Sequence, residues 1–483
     1  QLHAAVGLGN GIGMMYEAKR GHTPLVVIAG EAGLRYDAMD THVWADLVAM
    51  AKPVTKWATR VVDPSSALRV LRRAIKMSTT PPTGPVFVSL PMDVLDAPCE
   101  EEIVQSSRLV TRSAPSAEDV ARAADLLIPG ERPLIVMGDG IAFSGAQQEL
   151  TRLAELLGAE VWGADHSEVN IDTTHPCFQG TTGHMFGHVS QQITSRADVV
   201  LICGTYLLPE VFPALSGMFA PGAKVVHVDL DDYEMAKNFP VDLGLVADPK
   251  MTLRHLAEAL EVRRTHAQAA AATQRVGQLG QAKAERLAQQ RATDERVRDD
   301  VPLHMSRFAS ELAAHLPDDA IIFDEALSVS SAVTRYLAPR APGTYCQSRG
   351  VSLGVGIPGA LGIKLAHPDR EVWGFTGDGG AMYTPQALWT AARHHIDAKL
   401  VVCNNHRYQT LQNNLGQYWR ERHLPERAFP TSFDLREPDI RFAELAQAMG
   451  VPGIRVDKPD EVEPAIEQAR SHPGPFLIDL VVA

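Results

Sequence analysis

Val372-Trp373-Gly374-Phe375-Thr376-Gly377-Asp378-Gly379-Gly380 opens the stretch that decides the fold, and Lys399-Leu400-Val401-Val402-Cys403-Asn404-Asn405 closes it. Each half is an apolar run of strand length that ends in a turn of small or polar residues. A helical stretch beginning near Thr384 fits between them. Two strands joined by a helix make a parallel βαβ unit, in which both turns fall at the carboxyl edge of adjacent strands. The 27 residues from Asp378 to Asn405 therefore bring both side chains to one point. Gly377, Gly379 and Gly380 let backbone N–H groups approach a phosphate, and a helix N-terminus favours its charge. An Asp carboxylate, an Asn amide oxygen, a backbone carbonyl just beyond and two diphosphate oxygens suit octahedral Mg²⁺, which keeps a water as well. The chain carries its own control. Gly138-Asp139-Gly140 also follows a strand, but His166 stands 27 residues after Asp139 and no Asn pair follows.

Outward from this unit, short β-branched runs alternate with Ala/Leu-rich amphipathic stretches, the pattern of α/β domains with buried parallel strands. Expected strands include Pro24–Ala29, Val86–Leu90, Leu134–Met137, Val199–Cys203, Lys224–Val228 and Ala320–Phe323. Two linkers divide the 483 residues. One runs from about Ala97 to Ala117 and is polar and acidic. The other contains Thr265 to Arg298, rich in Ala, Gln and Arg, and reads as a solvated connecting helix. Three segments result: 1–96, 118–262 and 300–483. The first and third echo each other. Gly7–Gly13 before a helix and a strand matches Leu353–Gly359, and Gly84-Pro85-Val86-Phe87-Val88 matches Gly474-Pro475-Phe476-Leu477-Ile478.

Composition excludes several classes. The 45 Lys+Arg against 58 Asp+Glu give a net charge of −13, with no basic footprint for nucleic acid or a membrane surface. No apolar run approaches the ~20 residues of a spanning helix. The five cysteines include no CxxC pair and read as buried small residues in a reducing compartment, the cytoplasm. The paired histidines His394-His395 and His184/His188 read as surface or core residues, since no third ligand accompanies them.

Gly377-Asp378-Gly379 with Asn405 resembles the signature of thiamine-diphosphate-dependent enzymes, and the three-segment layout resembles their pyruvate-oxidase-like branch. The closest phrasing is that of benzoylformate decarboxylases, in Leu2-His3-Ala4-Ala5, Lys56-Trp57, Thr174-His175-Pro176-Cys177-Phe178 and Ala387–Ala392. The resemblance implies three doubly wound parallel-sheet domains: pyrimidine-binding, middle Rossmann-like and diphosphate-binding. It implies thiamine diphosphate and Mg²⁺ as cofactors. Asp378 and Asn405 look like side-chain metal ligands and the Arg407 carbonyl like the third. Gly377, Gly379, Gly380, Tyr383 and Ser328 match the diphosphate cradle. Leu353 matches the bulky residue wedged beneath thiamine, and the Val351 carbonyl matches the acceptor for its pyrimidine amine. His3 matches a proton-relaying catalytic histidine.

Other positions depart from the family pattern. The activating Glu of the family lies upstream of the stretch that begins at His3, so the sequence is expected to be an N-terminally incomplete record of a longer protein. Val211 stands where a second active-site histidine is matched, and Asn414 falls near the aromatic substrate wall. Asp229-Leu230-Asp231-Asp232 resembles a ribose-binding turn, but Thr205–Leu208 lacks the Arg-Phe phrase seen around flavin, and no FAD is expected. The implied activity is that of a lyase, the non-oxidative decarboxylation of a small 2-oxo acid, an aromatic one by analogy. A carboligase or lyase of the acetolactate synthase or 2-hydroxyacyl-CoA lyase type is the alternative, and a non-catalytic cofactor-binding homologue the third reading. The resemblance also implies a homodimer as the minimum assembly and a homotetramer as the expected one.

Overall fold

The computed structural model describes residues 1–207, 209–350 and 352–483. The chain forms two compact units. One comprises Gln1–Ala114, Leu230–Asp232 and Ser348–Ser352; the other comprises Pro115–Asp229, Tyr233–Gln347 and Leu353–Ala483.

The first unit holds a four-stranded parallel sheet of β1 (Leu2–His3), β2 (Leu25–Glu31), β3 (Trp57–Arg60) and β4 (Pro85–Pro91), in the order β1-β2-β4-β3. Every residue of β4 is buried, as expected of a central parallel strand.

The second unit contains two six-stranded parallel sheets. The earlier one has β5 (Pro133–Met137), β6 (Glu160–Gly163), β7 (Phe178–Thr181), β8 (Val199–Cys203), β9 (Lys224–Asp229) and β10 (Leu243–Val246), ordered β10-β9-β8-β5-β6-β7. The later one has β11 (Ile321–Glu325), β12 (Tyr345–Gln347), β13 (Val372–Gly377), β14 (Lys399–Asn404), β15 (Gly453–Val456) and β16 (Phe476–Val481), ordered β12-β11-β13-β14-β16-β15. Trp373 and Phe375 of β13 are fully buried, and both meet the ring of Phe308 edge-on, with centroids 6.4 and 6.3 Å away.

The expected long apolar strands all form. The short or polar ones, such as β6, β7 and β12, were not anticipated, because three or four half-buried residues give too little periodicity to read. The acidic linker has no helix or strand between Asp96 and Ala117. The second linker is a 31-residue helix, His266–Arg296, opened by a capping box between Thr265 and Gln268. No helix among the described residues is long and apolar enough to cross a membrane. The cysteines are free among the described residues, and Cys177, Cys203 and Cys403 are buried as expected, but Cys346 is half-buried and Cys99, in the linker, is exposed.

Topology corrects part of the internal echo. The order β1-β2-β4-β3 repeats β13-β14-β16-β15. The two Gly-Pro phrases therefore hold, since they precede the equivalent strands β4 and β16. The glycine phrases do not correspond. Gly7–Gly13 lies inside the helix Ala4–Arg20 that joins β1 to β2, whereas Leu353–Gly359 precedes β13. The place equivalent to the Ala4–Arg20 helix is the connection after β13, where the Gly-Asp-Gly turn sits.

Candidate cofactor site

Strands β13 and β14 pair in parallel with Gly377 opposite Cys403, so the two turns leave the same edge side by side. Gly377 is extended (φ −76°, ψ 161°) and caps a short helix, Asp378–Ala381; the longer helix starts only at Ala387. The helix expected near Thr384 thus starts at Ala387, and a separate one-turn helix precedes it at Asp378–Ala381.

Asp378 is 4% exposed. Its Oδ1 accepts the Gly379 N–H at 2.7 Å and its Oδ2 accepts the Arg407 N–H at 3.3 Å. The same Arg407 N–H reaches Asn405 Oδ1 at 3.1 Å. One backbone donor therefore ties together the two side chains singled out by spacing. Burial pushes the Asp378 carboxyl above the usual carboxylate range, opposed by backbone N–H groups of Gly379, His406 and Arg407. The Asn pair divides its work. Asn404 is buried and donates to Asp479 Oδ1 at 3.0 Å, which anchors β14 to β16, while Asn405 is half-buried at the turn.

The glycines earn their positions by proximity. A Cβ on Gly379 would collide with the Tyr408 ring. A Cβ on Gly380 would stand 2.8 Å from Thr376 Oγ1, whereas one on Gly377 would meet nothing within 4 Å among the described residues. The turn after β13 is therefore packed on one side and open at Gly377. Gly354 takes φ +94°, and a Cβ there would lie 2.5 Å from Tyr383 Cβ. The Thr384 hydroxyl donates to the Gly354 carbonyl at 2.6 Å. These contacts seat the half-buried Leu353 next to the Tyr383 end of the motif. Ser328 lies on the one-turn helix Leu327–Val329 that follows β11, the neighbour of β13. Ser328 and Arg407 line one cavity of about 670 Å³.

The control behaves as a structural knot. Asp139 is fully buried and accepts backbone N–H bonds from Ser167 and Glu168 and the side-chain amide of Asn170. Nearby, Gly140 packs directly against the Cα of Gly204, which closes the space beside that turn.

Sequence profiles of two domains match this chain. Residues 120–256 match the "Thiamine pyrophosphate enzyme, central domain" and residues 328–480 the "Thiamine pyrophosphate enzyme, C-terminal TPP binding domain". The chain belongs to the thiamine pyrophosphate enzyme family. Among its relatives, a benzoylformate decarboxylase of Pseudomonas aeruginosa is 28% identical over 99% of this chain and 86% of its own length. An acetolactate synthase large subunit of Corynebacterium glutamicum is 29% identical over 96% of this chain and 73% of its own length. The thiamine diphosphate-dependent 4-hydroxybenzoylformate decarboxylase of Rhodococcus jostii superposes over 100% of this chain and 86% of that chain with a TM-score of 0.84 at 25% identity. The benzoylformate decarboxylase of Polynucleobacter necessarius shares the fold at a TM-score of 0.82 and 22% identity.

In this thiamine pyrophosphate enzyme, Ser328, Leu353, Gly377, Asp378, Gly379, Gly380, Tyr383, Asn405 and Arg407 all belong to the second unit. His3 belongs to the first, where it is exposed and precedes the helix Ala4–Arg20. Val351 lies outside the described residues. Among the histidines read as surface or core residues, His188 pairs with Glu421 at 2.7 Å. Two contributors to the site were not singled out in the sequence. Tyr408 fills the space over Gly379. Glu325, at the end of β11, bonds the turn that follows Leu353. The available signal was a pair of acids, Asp324-Glu325, closing an otherwise apolar strand, where an unpaired charge is costly.

Proposed function

We propose that this chain binds thiamine diphosphate through Mg²⁺ and releases CO₂ from a 2-oxo acid, with an aromatic substrate of the benzoylformate kind. The observation that carries the reading is the Arg407 N–H shared by Asp378 and Asn405 at the ends of two adjacent parallel strands. The donor set fits Mg²⁺. Asp378 is a buried carboxylate that accepts the backbone N–H groups of Gly379 and Arg407, Asn405 supplies an amide oxygen, and no group of three or more His, Cys, Asp or Glu competes among the described residues. Mg²⁺ prefers one or two carboxylates plus phosphate oxygens and water over an all-protein cage.

In this reading Asp378, Asn405 and the Arg407 carbonyl hold the metal. Gly377, Gly379, Gly380, Tyr383 and Ser328 cradle the diphosphate. Leu353 supports the thiamine ring and the Val351 carbonyl holds its pyrimidine amine. Bound thiamine diphosphate supplies a nucleophilic carbon and an electron sink for the departing carboxylate. His3 moves a proton to or from the reacting group. Segments 1–96, 118–262 and 300–483 serve as pyrimidine-binding, middle and diphosphate-binding domains of a cytoplasmic homodimer that pairs into a homotetramer.

A second reading, a carboligase forming a C–C bond at the same cofactor, is supported by the acetolactate synthase relatives at 25–29% identity. The test is product analysis of protein loaded with thiamine diphosphate and Mg²⁺. Release of CO₂ and an aldehyde from benzoylformate supports the decarboxylase. Acetolactate from pyruvate would favour the carboligase. Cofactor binding without turnover of any 2-oxo acid would leave only a binding protein.

A further inference from the structure

Glu325 joins two parts of the candidate site that lie fifty residues and more from it, or about thirty, along the chain. It is fully buried at the carboxyl end of β11. Its Oε1 accepts the N–H groups of Gly354 at 2.7 Å and Val355 at 3.1 Å. Its Oε2 accepts the N–H of Gly356 at 2.7 Å and the Thr376 hydroxyl at 2.9 Å. Among the described residues no Lys or Arg pairs with it. A buried carboxylate without a cation is costly unless donors saturate it, and four donors do so here. The neighbours leave no slack. A Cβ on Gly356 would stand 2.6 Å from Thr376 Cβ and 2.7 Å from Glu325 Oε2. One carboxylate thus fixes the three residues after Leu353 and the residue two before Asp378.

We propose that Glu325 is a positioning residue for the cofactor, holding the turn beneath Leu353 and the strand end before Asp378 in one geometry before the cofactor arrives. The inference rests on the reading of Leu353 as a thiamine contact. Preorganisation of this kind lowers the ordering cost of binding. It also separates two ligands. Thiamine diphosphate would use both the Leu353 turn and the Gly377–Gly380 turn, whereas inorganic diphosphate would use only the second.

The experiment compares wild type with Glu325→Gln, Thr376→Val and Thr376→Ser. Two readouts are taken: amide hydrogen exchange at Gly354–Gly356 in cofactor-free protein, and the Kd of thiamine diphosphate and of inorganic diphosphate, each with Mg²⁺. Glu325→Gln places an amide N–H₂ against N–H donors, so exchange should quicken and the Kd of thiamine diphosphate should rise about tenfold or more, with a markedly smaller rise for inorganic diphosphate. Thr376→Val should follow in the same direction, and Thr376→Ser should restore wild-type behaviour. If Glu325→Gln does not fold, the two Thr376 variants decide. Equal weakening of both ligands would make Glu325 a general strut and overturn the proposal, as would faster exchange with an unchanged thiamine diphosphate Kd. Unchanged exchange would overturn it too. Wild-type protein that binds no thiamine diphosphate would overturn the functional reading and this inference together. Normal wild-type binding with unaffected variants overturns the inference alone.

Discussion

At the scale of single residues, Asp378 carries the strongest prediction. Its buried carboxylate accepts the Gly379 and Arg407 N–H groups and stands at the end of β13, where the proposed metal would sit. In Asp378→Ala, the thermal stabilisation that thiamine diphosphate and Mg²⁺ give together should vanish. At a ligand concentration one hundred times Kd that stabilisation is about 2.7 kcal/mol. A melting curve with and without ligand reads it, and retained stabilisation would remove Asp378 from the metal site. A second residue predicts pH dependence. His227 is 2% exposed; its Nε2 donates to the Thr205 carbonyl at 2.8 Å, and its Nδ1 accepts the Ala236 N–H at 3.2 Å. Both nitrogens are used in the neutral form, and burial lowers its pKa to about 4. The folded pKa lies below the unfolded 6.5, so the stability linked to neutral His227 is present above pH 6.5 and is lost as pH falls towards 4. The loss is about 3 kcal/mol at most. Urea unfolding from pH 7 to 4 should show a shallower pH slope in His227→Gln than in wild type; parallel curves would contradict the assignment. Residues of the first kind were legible, because Asp378 and Asn405 declare themselves by spacing at two strand ends. Glu325 and Tyr408 were not, since their roles depend on which backbone N–H or glycine lies opposite them, and that is set by the packing of β11 and the chain after β14.

Among elements, the connecting helix His266–Arg296 shows where reading by composition stops. Its polar, Ala-rich sequence correctly predicts a solvated helix with little apolar stripe, but not what holds it down. Two cations do so. Lys283 Nζ donates to the carbonyls of Thr173, His175 and Phe178 at 2.5, 2.8 and 2.8 Å and stands 5.3 Å from the Phe178 ring centroid. Arg275 donates to the carbonyls of Leu157 and Gly158. The loop it grips is therefore satisfied by the helix, not by water. Lys283→Met keeps the stem and deletes the donors, leaving three part-buried carbonyls short of a partner. The expected cost is about 3 kcal/mol, because hydrogen bonds from charged donors are worth more than neutral ones. Gly158 gives an independent handle. It takes φ +61°, and a Cβ would lie 2.6 Å from the Ala272 carbonyl oxygen on the same helix. Gly158→Ala should cost about 2–4 kcal/mol through strain and displacement together. Denaturant titration checks both. A Lys283→Met midpoint within error of wild type would mean that the helix does not depend on the Lys283 bonds.

Over the whole chain, the two linkers have similar polarity but different physics, and proteolysis separates them. The connecting helix presents many Arg and Lys residues to trypsin, yet its backbone hydrogen bonds must open before cleavage. The linker before Ala117 has no helix or strand to open. Glu101 bonds Arg69 and Arg72, and the Ser106 hydroxyl bonds the Arg72 carbonyl, so the early linker is pinned to the first unit. Beyond Ser106, Arg108 and Arg112 are exposed and precede the end of the first unit at Ala114. Limited trypsin digestion should therefore cut first after Arg108 and Arg112, releasing a fragment that starts near Leu109 or Ser113 and carries both six-stranded sheets intact. Mass spectrometry of the first products reads the cut. Asp378 and Asn405 both lie in that fragment, so magnesium diphosphate should still protect it against heat after the cut. A first cut inside His266–Arg296 would show that the Lys283 and Arg275 contacts are too weak to hold the helix, and would contradict the element-scale prediction as well.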